Sequence, residues 1–384
     1  MPKLILSYAK IVQIESRISN LLEYYAEMQP IFCKDNEHFC TKHASVLIFF
    51  HPSRPKRRQK SANVNKMHYI CSKKEQAERN TLMDNNTTMA RASRPLRFAL
   101  FGNEYQPKRS ATLYNILSFM RTMRAEIYID RAFYNFLTTG PYPNLQVDGV
   151  FDGDDFDVDF VISMGGDGTF LRAAARVGAK LTPIIGVNMG RLGFLADVLP
   201  AEAVDALQAI YADKYSVEDH TTIMVETDGE PFLGNPHALN DIAVLKRDNA
   251  SMISIRTSVN GEFLVTYQAD GLIVATPTGS TAYSLSNGGP IIVPQTGSIC
   301  LTPVAPHSLN IRPIVLNDDS VVTLNVESRS HNFLIAVDGR SQKLTESTTV
   351  TIRKAPFAIR IVKRNDRRYF ASLREKMMWG ADVR

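Results

Sequence analysis

The 384-residue chain reads as an α/β domain followed by an all-β, antiparallel domain. Two observations point there. Between Leu96 and Tyr211 short apolar runs alternate with amphipathic ones, and beyond about residue 215 β-prone runs are joined by Asp-Gly and Asn-Gly pairs. Alternating β and α segments imply a parallel sheet with helices on its faces. Asn-Gly and Asp-Gly suit two-residue hairpins because both central positions need positive φ.

In chain order, residues 96–101 form an apolar strand run closed by Gly102, and 111–123 carry apolar residues at helical spacing. Residues 158–164 read as a buried strand and 169–177 as a helix ended by Gly178. A further buried strand at 183–188 precedes Gly190, and a helix follows at 200–211. Asp228-Gly229, Asn260-Gly261 and Asp338-Gly339 each sit between β-prone runs, and further strands are expected at 321–326, 348–352 and 358–362. The expected division is an extension at 1–93, an α/β domain at 94–212, a β-rich domain at 213–357, and a segment at 358–384 that returns to the first domain through a helix at 373–379.

Composition bounds the function. With 44% hydrophobic and 22% charged residues, this is an ordinary globular composition, long enough for two domains. No run of eighteen apolar residues and no compact secretory signal occurs, so a cytoplasmic protein with no membrane partner is expected. Net charge is +5, but residues 1–93 hold fifteen Lys or Arg against eight Asp or Glu, while the remainder holds 29 against 31. The body is near neutral and no nucleic-acid partner is expected of it; the basic run at 54–60 reads as solvated. Met67, Met83 and Met89 precede the first clean strand, so residues 1–93 are either a poorly ordered tail or lie upstream of the natural start. Cys33, Cys40, His43 and Cys71 contain no C-x-x-C pair, so zinc is not expected, and no residue is assigned as a metal ligand.

The most informative segment is the strand 158–164 followed by Gly165-Gly166-Asp167-Gly168-Thr169 and then Phe170-Leu171-Arg172. A strand enters a helix through a sharp turn. In open α/β sheets ligands sit beyond the carboxyl ends of strands, where a helix N-terminus offers unpaired N–H groups to phosphate oxygens. Glycines admit a close approach, and Asp167 supplies a carboxylate able to take a hydroxyl proton or bind a metal. Asp167 as a plain helix cap is the alternative. No G-x-x-x-x-G-K-[ST] occurs, and Gly166-x-Gly168 lacks the third glycine of a dinucleotide fingerprint. The acidic stretch 152–157 lacks the loop glycine and closing Glu of a calcium loop.

A second turn, Thr276-Pro277-Thr278-Gly279-Ser280-Thr281-Ala282-Tyr283-Ser284-Leu285-Ser286, follows the apolar strand begun at Asp270-Gly271. Ser280 or Thr281 is placed to cap a helix and Tyr283 to pack on an adenine.

Taken in order and spacing, Gly165-Gly-Asp-Gly-Thr169, Asn188-Met-Gly190-Arg-Leu-Gly193-Phe194-Leu195, Asn240-Asp241 and the Asp270 to Ser286 segment resemble the NAD kinase family. Pro306-His307-Ser308-Leu309 and Val337-Asp338-Gly339 extend the resemblance, which covers roughly residues 95–384. The glycine-aspartate motif alone is shared with lipid kinases and phosphofructokinases; the long second turn is the specific part.

The resemblance implies an N-terminal α/β, Rossmann-like domain and a sandwich-like C-terminal domain, with NAD bound at their junction. It also implies a homodimer or homotetramer that helps complete the site. Asp167 corresponds to the base that takes the ribose 2′-hydroxyl proton, with Gly168 and Arg172 beside it, and Gly165, Gly166 and Thr169 count with them as cofactor-binding residues. Asn240 and Asp241 would hold the ribose and nicotinamide end, and Asp270 would face the nicotinamide amide. Thr281, Ala282, Tyr283, Ser284, Leu285 and Ser286 would hold the adenosine, Thr278 is a further cofactor-binding residue, and Phe194 would line the adenine pocket. ATP and NAD are the implied substrates, with Mg²⁺ or another divalent cation. Inorganic polyphosphate is an alternative donor. Gln268 and Arg340 depart from residues some relatives carry, and bear on the choice between NAD and NADH. A diacylglycerol-type lipid kinase and a non-catalytic dinucleotide sensor are the competing readings.

Overall fold

The computed structural model describes residues 94–102, 110–140, 142–189, 193–247, 251–364, 369–378 and 380. The expected extension at 1–93, with its basic run, its cysteines and His43, lies outside them, as do Gly190 and Trp379.

The first part alternates as expected: β1 (Arg97–Gly102), α1 (Ser110–Thr122), β2 (Glu126–Asp130), α2 (Arg131–Thr139), β3 (Gly149–Phe151), β4 (Phe160–Gly165), α3 (Asp167–Val177), β5 (Ile184–Asn188) and α4 (Ala203–Tyr211). A single 3₁₀ turn, Pro200–Glu202, precedes α4. The five strands are parallel in the order β3-β2-β1-β4-β5, the doubly wound arrangement. Every residue of β4 is buried, because helices cover both faces of a parallel sheet. Phe98 and Leu100 of β1 face α1 and α4 through Ile116, Met120, Leu207 and Ile210. Ala99 and Phe101 face α3 through Phe170, Ala173 and Val177. The elements β2, α2 and β3 carry no clear sequence signal. Residues 131–139 are rich in aromatic and Thr residues of modest helix propensity, and the helix leans on Phe133 and Leu137 buried in the core.

The second part contains β6 (Tyr215–Asp228), β7 (His237–Ala238), β8 (Asp241–Lys246), β9 (Ile253–Val259), β10 (Glu262–Ala269), β11 (Gly271–Ala275), the one-turn α5 (Tyr283–Ser286), β12 (Ser298–Val304), β13 (Ile314–Asn317), β14 (Val322–Glu327), β15 (Asn332–Val337), β16 (Arg340–Thr345), β17 (Thr349–Arg364) and α6 (Tyr369–Met377). A six-stranded antiparallel sheet runs β13-β12-β11-β8-β15-β16. It packs face to face on β9, β10, β14 and β17 of the larger sheet, with Ile242, Val244, Leu272, Val274, Phe333 and Ile335 against Ile255, Tyr267, Leu324 and Ile352. That is a sandwich core.

Three expectations are corrected. First, β17 joins the two parts. It pairs antiparallel with β6 from Thr349 to Arg364 and with β14, and parallel with β5 at Ile361, so one eleven-stranded sheet runs through both. The boundary expected after residue 357 falls inside this strand. Pro356 lacks an N–H and the register slips between Lys354 and Ala358, which splits the apolar pattern without ending the strand. Second, Asp228-Gly229 is not a two-residue hairpin: Gly229 has φ +117°, but the chain returns to pair with β6 only at His237. Asn260-Gly261 (φ +52° and +83°) and Asp338-Gly339 (+47° and +78°) do turn between adjacent strands. Third, the helix expected after Thr281 is the single turn α5, with no side-chain cap.

Candidate active site

β4 delivers the chain to the point where strand order reverses between β1 and β4, the usual ligand position in such sheets. Gly166 occupies the N-cap of α3 and makes no side-chain cap bond; Asp167 is the first helical residue. Asp167 is therefore not the cap. Its Oδ2 accepts from the Phe194 N–H at 2.8 Å, and its Oδ1 accepts from the N–H groups of Leu195 and Ala196, each at 3.1 Å.

The loop that supplies these donors is pinned from behind. Val198 bridges β5 in parallel, with Asn188 N–H to Val198 O at 2.8 Å and Val198 N–H to Gly186 O at 3.0 Å. A Cβ at Gly186 would meet the Ala196 Cα at 2.6 Å, and one at Gly193 would strike the Asp167 carboxylate, so both positions admit only glycine. Thr169 is buried, and a Cβ at Gly165 would collide with its hydroxyl. Gly168 is exposed at the helix start, and Arg172 donates to the Gly102 carbonyl at 3.2 Å.

Asn240 and Asp241 open β8 beside the end of β11, where Asp241 pairs with Ala275. Their backbone is held by Asp338 of the β15–β16 turn, which accepts from Leu239 and Asn240 N–H at 2.8 Å each and from Asp241 N–H at 3.2 Å. Burial pushes the Asp338 carboxyl up, and those three donors pull against it. Burial, and then the charge of Asp338, pushes Asp241 up to about 7. Asn240 Oδ1 is buried without a hydrogen-bond partner. Such an atom is costly unless a ligand donor completes it.

The second turn packs directly on this corner. Thr276 N–H donates to Asn240 O at 2.9 Å, and Thr276 Oγ1 donates to Leu239 O at 2.5 Å. A Cβ at Gly279 would collide with the Asn240 carbonyl, which explains a glycine whose φ is not itself positive. Ser280 does not cap a helix; its hydroxyl donates to Pro277 O at 2.6 Å and accepts from Ile292 N–H at 3.0 Å. Ser284 turns its hydroxyl into the core against Thr302, at 2.8 Å. Ala282 and Leu285 are partly buried, and Tyr283 and Ser286 are exposed.

Two open-sided cavities flank the Asp167 turn. One is bounded by Phe194 and Leu195 of the loop that grips Asp167 and by Thr278 and Thr281 of the second turn. Its far wall holds Glu218 and His220 of β6, and Asp197 with Lys363 of β17, an ion pair at 2.6 Å. Lys376 of α6 donates to the Gly193 carbonyl and stands 5.1 Å from the Phe194 ring centre. The other cavity is bounded by Gly168, Thr169 and Arg172 with Asp338 and Arg340. Arg340 donates to Val337 O at 3.0 Å and His237 O at 2.8 Å, and its burial lowers its pKa.

The structure thus puts Phe194, whose N–H holds Asp167, around one cavity with Thr278 and Thr281, while Asn240 and Asp241 lie under the second turn and are held by Asp338, which borders the other cavity. It does not bring Asp270 there. Asp270 precedes β11 while Thr276 follows it, about 20 Å of extended chain away, and it pairs with Lys246 at 2.7 Å. Sequence reading quoted Asp338 without assigning it a role, and passed over His220, Glu218, Asp197 and Lys363. The Asp-Gly turn was the available signal for Asp338; the strand residues offered none, since nothing in their spacing brings β6 to the second turn.

Among the described residues no group of three or more His, Cys, Asp or Glu is arranged to hold a metal ion. Mg²⁺ is commonly bound by one or two carboxylates plus substrate phosphates. Asp167 and Asp338 fit only that mode, because three backbone donors already occupy most of the roughly four acceptor positions of each carboxylate.

Comparison with known proteins follows the same division. Residues 103–215 match the ATP-NAD kinase N-terminal domain, and residues 239–364 match the ATP-NAD kinase C-terminal domain. The NAD kinase of Bacteroides fragilis (strain ATCC 25285) is 55% identical over 289 residues, spanning 75% of this chain and 100% of that protein. That of Porphyromonas gingivalis (strain W83) is 41% identical over 288 residues, spanning 75% and 99%. Among solved structures, yeast NADH kinase complexed with NADH has the same fold, with a TM-score of 0.67 at 22% identity over 76% of this chain and 90% of that one. An NAD kinase from Archaeoglobus fulgidus in complex with ATP gives a TM-score of 0.57 at 27% identity over 73% and 99%.

Proposed function

The chain belongs to the NAD kinase family of enzymes, and from that premise we propose that it transfers the γ-phosphoryl group of ATP to the 2′-hydroxyl of the adenosine ribose of NAD, with Asp167 as general base. One observation carries this reading. The loop whose N–H groups grip Asp167 shares a cavity with Thr278 and Thr281 of the second turn, so segments more than eighty positions apart border the same space.

Phosphoryl transfer requires alignment and charge stabilisation more than covalent chemistry from the protein. The N-terminus of α3, with Gly168 and Thr169, supports a phosphate chain in the cavity that Arg172 and Arg340 border. A divalent cation, bound chiefly to the nucleotide phosphates, supplies neutralising charge there. Asn240 donates or accepts through its buried amide, completing the unpartnered Oδ1 when the ribose and nicotinamide end is bound. Asp167 takes the 2′-hydroxyl proton as the oxygen attacks, and its three backbone donors hold its oxygens in place for that transfer.

Asp270 lies too far along β11 to act on the same dinucleotide as Thr278 of its own subunit, so we assign it to the site of a neighbouring copy in a homodimer or homotetramer. We further propose that the enzyme acts in the cytoplasm. Among the described residues no helix is long and apolar enough to cross a membrane. The test is NADP formation by the purified protein from NAD and Mg-ATP, with parallel reactions on NADH and with inorganic polyphosphate as donor. Absence of NADP with either donor would sink the reading.

A further inference from the structure

His220 of β6 is 4% exposed, and both of its ring nitrogens are engaged. Nδ1 lies 2.8 Å from Thr278 Oγ1, and Nε2 lies 3.3 Å from Glu218 Oε2. All three residues line the cavity that the second turn shares with Phe194. We propose that Glu218 and His220 fix the Thr278 hydroxyl as a hydrogen-bond acceptor toward this cavity, selecting a dinucleotide whose base carries an amino group over one carrying a carbonyl at the same position. The proposal rests on the NAD-phosphorylating reading above and names the determinant of base selectivity in that site.

With His220 as the neutral imidazole, the polarity follows from donor counting. A carboxylate only accepts, so the hydrogen bond to Glu218 requires the proton to sit on Nε2. In the neutral ring Nδ1 then bears a lone pair, and the contact with Thr278 is made by the threonine proton. A hydroxyl has one proton. Once it is spent on Nδ1, Thr278 Oγ1 presents only lone pairs to a ligand. The hydrogen bond from His220, with Lys363 nearby, holds the Glu218 carboxyl below its ordinary range, so it stays the acceptor that sets this direction.

The 6-amino group of adenine donates into such an acceptor. The 6-carbonyl of hypoxanthine would place lone pair against lone pair and leave two acceptors unsatisfied in a partly closed site. Sites built to bond one polar group discriminate strongly against an analogue that cannot supply it. His220 acts through Thr278 and is a positioning residue.

The experiment compares kcat/KM for NAD and for its deaminated analogue, in which hypoxanthine replaces adenine, using the full chain and Mg-ATP. The unmodified protein is expected to prefer NAD by at least about tenfold, the equivalent of one unmade hydrogen bond. His220→Phe leaves the Thr278 hydroxyl free to rotate and donate, so the preference should collapse several-fold. Thr278→Val should abolish most of it, and Thr278→Ser should retain it. A purely structural role for His220 would lower both substrates together and leave their ratio unmoved, and that outcome overturns the proposal. So does a ratio near one in the unmodified protein. Should His220→Phe fail to fold, the Thr278→Val and Thr278→Ser pair decides by the same ratio. A protein that phosphorylates neither dinucleotide contradicts the parent reading instead, which separates the two failures.

Discussion

Asp167 has one observed role, as an acceptor, and one proposed role, as general base, and a single substitution can separate them. As general base it should contribute about 10² to 10⁴-fold, and as an acceptor it organises the loop from Phe194 to Ala196. In Asp167→Asn the amide oxygen can keep the bonds from Leu195 and Ala196, but the amide nitrogen then faces the Phe194 N–H, donor against donor. We expect turnover to fall at least about a hundredfold with the far-UV circular dichroism unchanged, and the Phe194 amide to exchange faster with solvent. Near-normal turnover would remove Asp167 from the chemistry. Asp241 tests electrostatics at the same scale. Its carboxyl, raised to about 7, binds its proton more tightly folded than unfolded. The associated stability is present in full below the unfolded value near 4 and is lost as pH rises towards 7. Asp241→Asn removes that slope, so its melting temperature relative to the parent should rise between about pH 5 and about pH 8. An offset equal at both values would acquit Asp241.

Single elements here are shaped by close backbone approach more than by propensity. The turn from Thr276 to Thr281 lies on the Asn240 carbonyl, and Gly279 is the residue at the contact. Gly279→Ala inserts a methyl group against backbone, which cannot rotate away as a side chain can. Overpacking of this kind costs about 1–3 kcal/mol, and relief requires the turn to lift off Asn240. The expected result is a lowered melting temperature together with a KM for NAD raised about tenfold, since the displaced turn carries Thr278 and Thr281. A stability loss with unchanged KM would detach this turn from the substrate. Gly279 was readable in the sequence as part of a motif, but its reason was not. Its conformation is ordinary, and the constraint comes from Asn240, some forty residues away, just before β8. By contrast Asn260-Gly261 was legible outright, because its positive φ values are a local demand.

At the scale of the molecule, β17 is the element that makes two parts one sheet, and the position of Asp270 is the ground for the proposed sharing of sites between subunits. In a symmetric assembly each site would take Asp167 from one copy and Asp270 from its neighbour. Asp167→Asn and Asp270→Ala subunits should each be nearly inactive alone. After unfolding and refolding together at equal ratio, a dimer should recover about a quarter of the parental sites, because half the dimers are mixed and each holds one intact site. No recovery, with mixed dimers demonstrated by mass, would return Asp270 to its own subunit or to no role. Light scattering coupled to gel filtration reads the assembly size directly.

By itself the sequence determined the order of the layers, the strand-to-helix turn at Asp167 and the two hairpins, because each depends on periodicity or on φ demands within a few residues. It also carried the family resemblance, through the Gly165 to Thr169 and Thr276 to Ser286 motifs. Only the tertiary structure decided that Asp338 holds the Asn240 corner, that His220 reaches Thr278, that Pro356 bends a strand instead of ending it, and that Asp270 stands apart. Those four facts depend on strand pairing between residues far apart in the chain, and pairing register is set by the packing of whole sheets, which no local pattern encodes.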